Sequence, residues 1–340
     1  MLRNAIVIML LATVFLTFST MYTGARLDGK TKIVVTIDIL RPIVSSITGS
    51  RGEVYSIVPG DAEPHGLTLT PEVVRNASGA DLIVITGHME WEKDLVKRVA
   101  EERGVETGSI TLNLLDLVER NGTVLKLEGG RNIHGFWLLP DNAVLIARAL
   151  RDRLSSLRPE YSEEYLSNCV FFEEKVSSLK SFLESLSEKH GMSGRKVVIG
   201  FYAEQYVVEA MGLKAGAILV GEGEAISPGS LSRVYDGLKS GEYACIVVSD
   251  TALLMSGVQN ALREVSRDTG CRIAYVSVVS AGGVKDYDSI MYYNAGQIYG
   301  ALLSEKESVS SGINIYLLTT LAALLVIVLE TIILVRRSKP

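Results

Sequence analysis

The hydrophobic pattern of the chain alternates between short apolar runs and longer stretches with helical spacing. Such runs are typical of parallel strands that helices cover on both faces. The first half of the chain contains four of them and the second half another four. The predicted strands cover residues 32–36, 53–58, 81–86 and 110–114, then 196–200, 214–220, 245–249 and 272–276. This order predicts an α/β fold with two Rossmann-like lobes, each a parallel sheet flanked by helices.

A stretch without internal glycine or proline separates the two predicted lobes. Residues 159–189 carry apolar side chains near helical spacing, with Glu and Lys elsewhere. The pattern predicts one long linking helix over residues 157–190, between an N-terminal lobe at 27–156 and a C-terminal lobe at 191–305. The predicted apolar stripe consists of Tyr165, Val170, Phe172, Val176, Leu179, Phe182, Leu183 and Leu186.

Each half also contains a hydroxyl residue followed by proline, Thr70-Pro71 and Ser227-Pro228. The hydroxyl can cap a helix, and proline fits the first helical position. A helix is therefore predicted to begin at each of these two places.

Both ends of the chain carry apolar segments. Residues 1–26 combine a basic residue, an apolar run and trailing small residues, which is typical of an export signal or an N-terminal anchor. Residues 313–335 are long enough, at ~1.5 Å per residue, to cross ~30 Å of hydrocarbon, and Arg336 and Arg337 follow directly. We predict a transmembrane helix over 313–335 with a cytoplasmic tail, which places the lobes on the extracytoplasmic side of the cell membrane.

Composition narrows the function classes. The net charge of −5 and the absence of a basic stripe argue against nucleic acid as a partner, and 21% charged residues is too ordinary for a disordered chain.

The three cysteines cannot all pair internally. Cys245 and Cys271 each begin a strand-like run and form either a disulfide between neighbouring strands or two buried thiols. Cys169 lies in the predicted long helix and is expected to remain a thiol.

A histidine on a loop rich in proline and glycine is the first candidate for chemistry. His65 lies between a predicted strand and the Thr70-Pro71 helix start, and Asp61 and Glu63 flank it. Neutral imidazole and carboxylate oxygens are the usual ligands of zinc and manganese. This loop therefore indicates a metal site.

Four motifs in sequence extend this indication. Pro-His precedes the Thr-Pro helix start at residues 64–71, Asn-Ile-His-Gly-Phe-Trp-Leu-Leu-Pro-Asp-Asn-Ala spans 132–143, Glu-Ala-Ile-Ser-Pro-Gly-Ser-Leu spans 224–231, and Tyr-Asp-Ser-Ile-Met-Tyr-Tyr-Asn spans 287–294. In order and spacing they resemble the solute-binding proteins of zinc and manganese ABC importers, the ZnuA/TroA-like family. The resemblance covers residues 30–303.

The resemblance implies a membrane-tethered, extracytoplasmic protein that captures zinc or manganese in the cleft between its lobes. The metal is then cargo, no catalytic cofactor is expected, the chain is not an enzyme, and its partner is the permease of an ABC transporter. The family holds its ion with two ligands from each lobe. By position, His65 and His134 match the two ligands of the N-terminal lobe.

The other two expected ligand positions hold unsuitable residues. By the same resemblance, Phe201 and Ser277 occupy the ligand positions of the C-terminal lobe. Phenylalanine has no donor atom, and a neutral hydroxyl is a poor ligand for a divalent cation. Because ligands collect at the carboxyl ends of strands, Glu204, three residues after Phe201, and His88, which follows the third predicted strand, are the substitute candidates. Asp38 and Asp250 also follow strands and are lesser candidates, since each has a fair claim to helix capping.

Two other functions stay open at this point. A diverged member that has lost metal binding would recognise another solute or a surface partner, and the two unsuitable positions favour it. A metal-dependent enzyme would use His65, His134 and a carboxylate with an open water position. The sequence contains no HExxH, Gly-x-Ser-x-Gly or Walker motif, which argues against the enzyme. The donor types suit zinc and manganese alike, so the sequence leaves the metal open.

Overall fold

Two parallel sheets form the centre of the molecule, in a computed structural model that describes residues 29–221 and 225–304. The strands of the first sheet are β1 (Thr31–Ile37), β2 (Gly52–Val58), β3 (Leu82–Ile85) and β4 (Thr111–Asn113). A separate hairpin consists of β5 (Lys126–Leu127) and β6 (Gly130–Arg131). The second sheet consists of β7 (Lys196–Ile199), β8 (Lys214–Ile218), β9 (Ile246–Ser249) and β10 (Ile273–Val276).

The strand order is β2-β1-β3-β4 in the first sheet and β10-β9-β7-β8 in the second. All neighbouring strands in both sheets are parallel. The eight predicted strands are thus confirmed, with ends shifted by one or two residues. The antiparallel hairpin of β5 and β6 was not predicted, because two-residue strands are too short to show a periodic pattern.

Helices flank both sheets, as the α/β prediction requires. Those of the N-terminal lobe are α1 (Arg41–Thr48), α2 (Pro71–Ser78), α3 (Glu90–Arg103), α4 (Thr107–Ile110), α5 (Leu114–Asn121) and α6 (Pro140–Leu157). They are followed by α7 (Ser162–His190), and then by α8 (Glu204–Ala210), α9 (Pro228–Ser240), α10 (Asp250–Leu254), α11 (Val258–Thr269) and α12 (Tyr287–Leu303).

Both predicted helix starts are confirmed. The Thr70 hydroxyl accepts a hydrogen bond from the backbone N–H of Val73 at 3.4 Å, and the Ser227 hydroxyl accepts one from Ser230 at 3.0 Å. In each case proline takes the first helical position, as the sequence indicated.

The predicted long helix is α7, and its 29 residues give it a length of ~43 Å. It packs on α1 and α6 of the N-terminal lobe and on α12 of the C-terminal lobe. The predicted apolar stripe was wrong at two positions, because Val170 and Phe182 are 48% and 44% exposed. Cys169 lies on the buried face of the helix instead.

The two lobes contact each other through hydrogen bonds of the segment after β10 as well as through α7. The N–H of Ile39 donates to the carbonyl of Val279 at 2.8 Å, and the N–H of Ala281 donates to Asp38 Oδ2 at 2.8 Å. The segment that follows β10 is therefore attached to the end of β1. This contact closes the space between the carboxyl ends of the two sheets.

Several predictions fall on residues outside the described ranges. They are the export signal or anchor over 1–26, the transmembrane helix over 313–335, and Glu224 at the start of the third motif. Within residues 29–221 and 225–304, no helix combines the length and the apolar character needed to cross a bilayer.

Cys169, Cys245 and Cys271 are all described, and all three are buried thiols, so Cys245 and Cys271 form no disulfide.

Candidate metal site

Three histidines from separate segments of the N-terminal lobe converge at the carboxyl edge of the first sheet. His65 lies in the loop after β2, His88 lies between β3 and α3, and His134 lies just before α6. Their ring centroids are 4.9–5.4 Å apart, and one nitrogen from each ring lies within 4.8 Å of the other two. The structure therefore brings together three of the four residues that the sequence singled out as metal ligands.

The spacing of this histidine triad is close to what one ion requires. Zinc binds imidazole nitrogen at ~2.0–2.1 Å in tetrahedral geometry, which places two bound nitrogens ~3.4 Å apart. Ring rotations that move each nitrogen by about an ångström would reach this geometry. Of the described histidine, cysteine, aspartate and glutamate side chains, only these three form such a group.

A carboxylate orients the ring of His65. Glu63 Oε1 lies 2.7 Å from Nδ1 of His65 and also accepts the backbone N–H of that residue at 3.0 Å. Because an ionised carboxylate only accepts, Nδ1 carries the proton and Nε2 is left with the lone pair. The pKa of Glu63 is raised by partial burial, but the hydrogen bonds from His65 and Gly66 outweigh this and hold it below its usual range. Glu63 is thus a partner of the histidine, as in many metal sites.

The loop that carries His65 is also held by a hydrogen bond from α3. Trp91 Nε1, on the first turn of α3, donates to the carbonyl of Pro64 at 2.8 Å. This bond fixes the residue immediately before His65 to the helix that follows His88. Two of the three histidine segments are therefore held to each other as well as to the sheet.

A buried glutamate orients His88 through a threonine. Thr86 Oγ1 donates to Glu92 Oε2 at 2.7 Å and lies 2.9 Å from Nδ1 of His88. Since the hydroxyl proton goes to Glu92, Thr86 accepts from Nδ1–H of His88, and Nε2 again keeps the lone pair. Glu92 is fully buried and also accepts the N–H groups of Thr86 and Gly87 and the hydroxyl of Thr36.

Two glycines allow these segments to take their paths. Gly87 has φ +93° and Gly135 has φ +83°, both in the region that favours glycine. A Cβ at Gly135 would lie 2.7 Å from the carbonyl oxygen of Ala203, so only glycine lets the C-terminal lobe approach His134 this closely.

Burial keeps the imidazoles of His88 and His134 neutral. Desolvation, together with the neighbouring rings of His134 and His65, lowers the pKa of His88 to about 2. Desolvation and the charge of His65 lower the pKa of His134 to about 4. At pH 7 these two rings are neutral, which is the form that binds a metal, and binding there need not displace a proton from them.

The triad faces a small cavity whose other wall comes from the C-terminal lobe. The cavity has a volume of about 20 Å³, enough for one water-sized ligand but not for an organic solute. Trp137 stacks on His88 at 6.3 Å between centroids and donates its Nε1–H to the carbonyl of Val278 at 3.3 Å. The C-terminal lobe contributes Phe201, Ala203, Thr251, Val278 and Val279 to the wall.

Phe201 and Ser277, the two residues unsuited to bind a metal, make contacts of other kinds. Phe201 is 1% exposed, and its ring centroid lies 5.4 Å from that of His134 and 6.5 Å from that of His65. It therefore packs against the triad as an apolar wall. Ser277 is held by Asn294, which accepts its N–H at 2.8 Å and donates to its carbonyl at 3.0 Å.

Glu204, the fourth residue singled out, is not part of the triad. Its side chain is fully buried, and its two oxygens accept the backbone N–H groups of Ser249 at 2.8 Å and Phe201 at 3.0 Å. Desolvation raises the pKa of Glu204 to about 8, although these hydrogen bonds oppose the shift. In this arrangement the carboxyl group links β7 to β9 within the C-terminal lobe.

The two aspartates that follow strands also serve the backbone. Asp38 pairs with Arg41 at 2.7 Å and accepts the N–H of Ala281. Asp250 accepts the N–H groups of consecutive residues after β10, with Ser280 the nearest at 2.8 Å. Asp250 thereby fixes the segment that forms the C-terminal wall of the cavity.

Two residues around the triad were not assigned a role from the sequence. Glu92 was not singled out, although a glutamate at the third position of a helix is a known signal for bonds to the preceding backbone. Glu63 was noted only as a flanking acid. Its hydrogen bond to His65 depends on the turn of the loop, which residue spacing does not reveal.

Comparisons with known proteins agree with the fold and the motifs. The family model for ZnuA, the periplasmic component A of a zinc-uptake complex, matches residues 33–301. The manganese-binding lipoprotein MntA of Halalkalibacterium halodurans is 28% identical over 305 residues, which cover 87% of this chain and 97% of that protein. The iron-binding protein YfeA of Yersinia pestis is 26% identical, over 77% of this chain and 83% of that protein.

Solved structures show the same fold. A crystal structure of a zinc-bound ZnuA deletion mutant matches with a TM-score of 0.67 and 18% identity, over 81% of this chain and 99% of that one. FpvC from Pseudomonas aeruginosa, in complex with Mn²⁺, matches with a TM-score of 0.64 and 18% identity, over 80% and 98%. The resemblance predicted from the four motifs is confirmed, and the chain belongs to the ZnuA family of zinc-uptake components.

Proposed function

We propose that this chain is the extracytoplasmic substrate-binding protein of an ABC-type metal importer, and that it captures one divalent cation on His65, His88 and His134. The convergence of three imidazoles at one cavity is the observation that carries this proposal. Two of the three rings are backed by acceptors that leave Nε2 with its lone pair. Glu204, with both oxygens bonded to backbone, has no part in the proposed ligand set.

The donor set favours zinc over manganese. Imidazole nitrogens suit zinc and its neighbours in the affinity order, whereas manganese prefers carboxylate and carbonyl oxygens. The triad consists of nitrogen donors, and no described carboxylate belongs to the group. We therefore propose zinc as the preferred cargo, although relatives such as MntA are named for manganese.

Capture rather than catalysis fits the shape of the cavity. A space of about 20 Å³ holds an ion and its ligands but excludes an organic substrate. The proposed partner is the permease of the importer, to which the ion must be delivered when the lobes separate. The apolar segments predicted at residues 1–26 and 313–335 would tether the protein beside that partner and raise its effective concentration.

Zinc titration of the purified full-length chain tests the proposal directly. We expect one zinc per chain and a rise in melting temperature, because an ion that binds only the folded state stabilises it. At a free zinc concentration of 100 Kd the gain is about 2.7 kcal/mol. For a protein of this size this corresponds to roughly 4–5 °C.

Manganese at the same free concentration serves as the comparison and is expected to produce a smaller rise. If neither ion raises the melting temperature, the diverged binder that has lost metal capture becomes the better description of this chain.

Replacing Glu63 by glutamine is expected to weaken zinc binding by roughly 10–100-fold, the usual cost of losing the partner of a metal-binding histidine. The change removes the negative charge behind His65 and one of the acceptors of its loop. Glu204→Gln is the matched control, because it makes the same acid-to-amide change at a carboxyl group that accepts backbone N–H groups and is not part of the triad.

Both variants are compared by competition for zinc with a chromophoric chelator. Glu204→Gln is expected to keep the affinity of the unmodified chain. An equal loss in both variants would instead point to Glu204 as a ligand.

A further inference from the structure

The C-terminal lobe places a single polar side chain in the described wall of the cavity, that of Thr251. Its other contributions, Phe201, Ala203, Val278 and Val279, are apolar. Thr251 lies on the first turn of α10, directly after β9, and is 3% exposed. Thr251 is thus the one residue of the C-terminal lobe in the described cavity wall that carries a hydroxyl group.

The hydroxyl oxygen of Thr251 is buried and makes no hydrogen bond with any described residue. The other polar groups around it are engaged: its own N–H donates to Asp250 at 2.9 Å, and the Ser249 hydroxyl caps α10 by accepting from Ala252 at 3.1 Å. Buried hydroxyl groups are normally paired, because an unpaired one has lost its water without compensation. Its position in the cavity wall indicates a partner that occupies the cavity.

An ion on the triad would provide that partner. Zinc in proteins is usually four-coordinate, and three histidines leave one position for a water molecule. No fourth His, Cys, Asp or Glu among the described residues joins the group, Phe201 has no donor atom, and Ser277 does not line the cavity. A threonine hydroxyl is itself a poor ligand, but it accepts readily from a metal-bound water, which the ion makes a strong donor.

We infer that a water molecule completes the coordination of the ion, and that Thr251 Oγ1 holds this water by accepting a hydrogen bond from it. This inference rests on the proposed function. In this arrangement the N-terminal lobe provides every protein ligand, and the C-terminal lobe contacts the ion only through the water. Thr251 is then a positioning residue that couples the C-terminal lobe to the captured ion.

Thr251→Val tests the inference, since valine keeps the shape of threonine and removes the hydroxyl. We expect the zinc affinity of the full-length chain, purified in detergent, to fall by roughly 10–100-fold, the range for partners of metal-bound groups. The metal-free variant should melt at the same temperature as the unmodified chain or higher, because an unpaired buried hydroxyl has been removed. Thr251→Ser, which keeps the hydroxyl, should bind zinc almost as well as the unmodified chain.

Thr111→Val is the matched control. The hydroxyl oxygen of Thr111 is also buried without a hydrogen-bond partner among the described residues, but Thr111 lies on β4 and does not line the cavity. Its replacement should leave zinc affinity unchanged. Cobalt(II) adds a spectroscopic readout: the visible bands of the bound ion should change in Thr251→Val and stay unchanged in Thr111→Val.

The outcomes separate the two proposals. If the unmodified chain binds no zinc, the proposed function fails and the inference fails with it. If the unmodified chain binds one zinc and Thr251→Val binds it equally well with unchanged cobalt bands, the proposed function stands and the water-mediated contact is wrong. A loss of affinity in Thr251→Val that Thr251→Ser does not restore would also overturn the inference.

Discussion

Replacing His88 by alanine is expected to weaken zinc binding by roughly 10²–10³-fold. Zinc sites with four ligands contribute about 10–16 kcal/mol, so one ligand in four is worth ~2.5–4 kcal/mol, and each ~1.4 kcal/mol is a factor of ten. His88 lies 4.9 Å from His134 and 5.4 Å from His65 between ring centroids. Its Nδ1 is bonded to Thr86, which leaves Nε2 for the ion.

The zinc affinity of His88→Ala matters because, if His88 is a ligand, the N-terminal lobe supplies three ligands by itself. The variant therefore distinguishes a site within one lobe from a site shared between lobes. His190→Ala is the matched control, since it removes the fourth histidine of the chain at the far end of α7, where that ring lies 6.2 Å from Tyr299. We expect His190→Ala to bind zinc like the unmodified chain. If His88→Ala binds within tenfold of the unmodified chain while His65→Ala and His134→Ala lose binding, His88 is a packing residue against Trp137 and not a ligand.

Replacing Phe201 by histidine is expected to strengthen zinc binding by roughly 100-fold and to slow zinc release. The ring of Phe201 already lies against His134 and His65, so an imidazole there would face the ion. A fourth nitrogen would replace the proposed water and tie the C-terminal lobe directly to the metal. The gain expected for one added ligand is about 3 kcal/mol on the scale of structural zinc sites.

Phe201→Leu is the control, because it keeps the wall apolar and adds no donor; it should show no gain. Equal zinc affinities for the histidine and leucine variants would show that position 201 does not reach the ion. The Phe201→His variant also provides a double-mutant cycle with Thr251→Val. If the new imidazole displaces the water, Thr251→Val should cost much less in that background than in the unmodified chain.

The layout of strands and helices could be predicted because it depends on local patterns. Eight apolar runs became eight parallel strands, and the stretch without glycine or proline became α7. The side of α7 that faces the lobes was harder to predict. Val170 and Phe182 fit the helical period, but α7 packs on two lobes at once and both side chains remain exposed, with Phe182 at the margin of the contact with α12, where its ring lies 5.2 Å from that of Tyr292.

The candidate site was predictable in its segments and not in its side-chain directions. His65 and His88 follow β2 and β3, which end at one sheet edge, so placement could bring them together, whereas His134 was assigned through its motif. Glu204 also follows a strand, but its carboxyl group turns back to the N–H groups of Phe201 and Ser249. Sequence spacing gives the position of a residue at an edge and does not give the bonds that its side chain makes there.

Thr251 illustrates a signal that was present but unused. The rule that polar residues after strands approach the ligand selected Asp250, one position earlier. In the structure Asp250 serves the backbone after β10, and the next side chain lines the cavity. The rule identified the correct strand end but did not distinguish between two adjacent residues.

The segment after β10 bonds to the N-terminal lobe through its main-chain groups, whereas Gln205, Tyr206 and Tyr287 use their side chains, and this has a consequence for how the sequence of the segment can vary. The carbonyls of Val278 and Val279 and the N–H of Ala281 make the contacts to the N-terminal lobe. Almost any amino acid can supply these groups. The side chains of this segment can therefore change without loss of its hydrogen bonds to the N-terminal lobe. Under the proposed function, residues of this segment that face the ion can vary while its main-chain bonds to the N-terminal lobe stay the same.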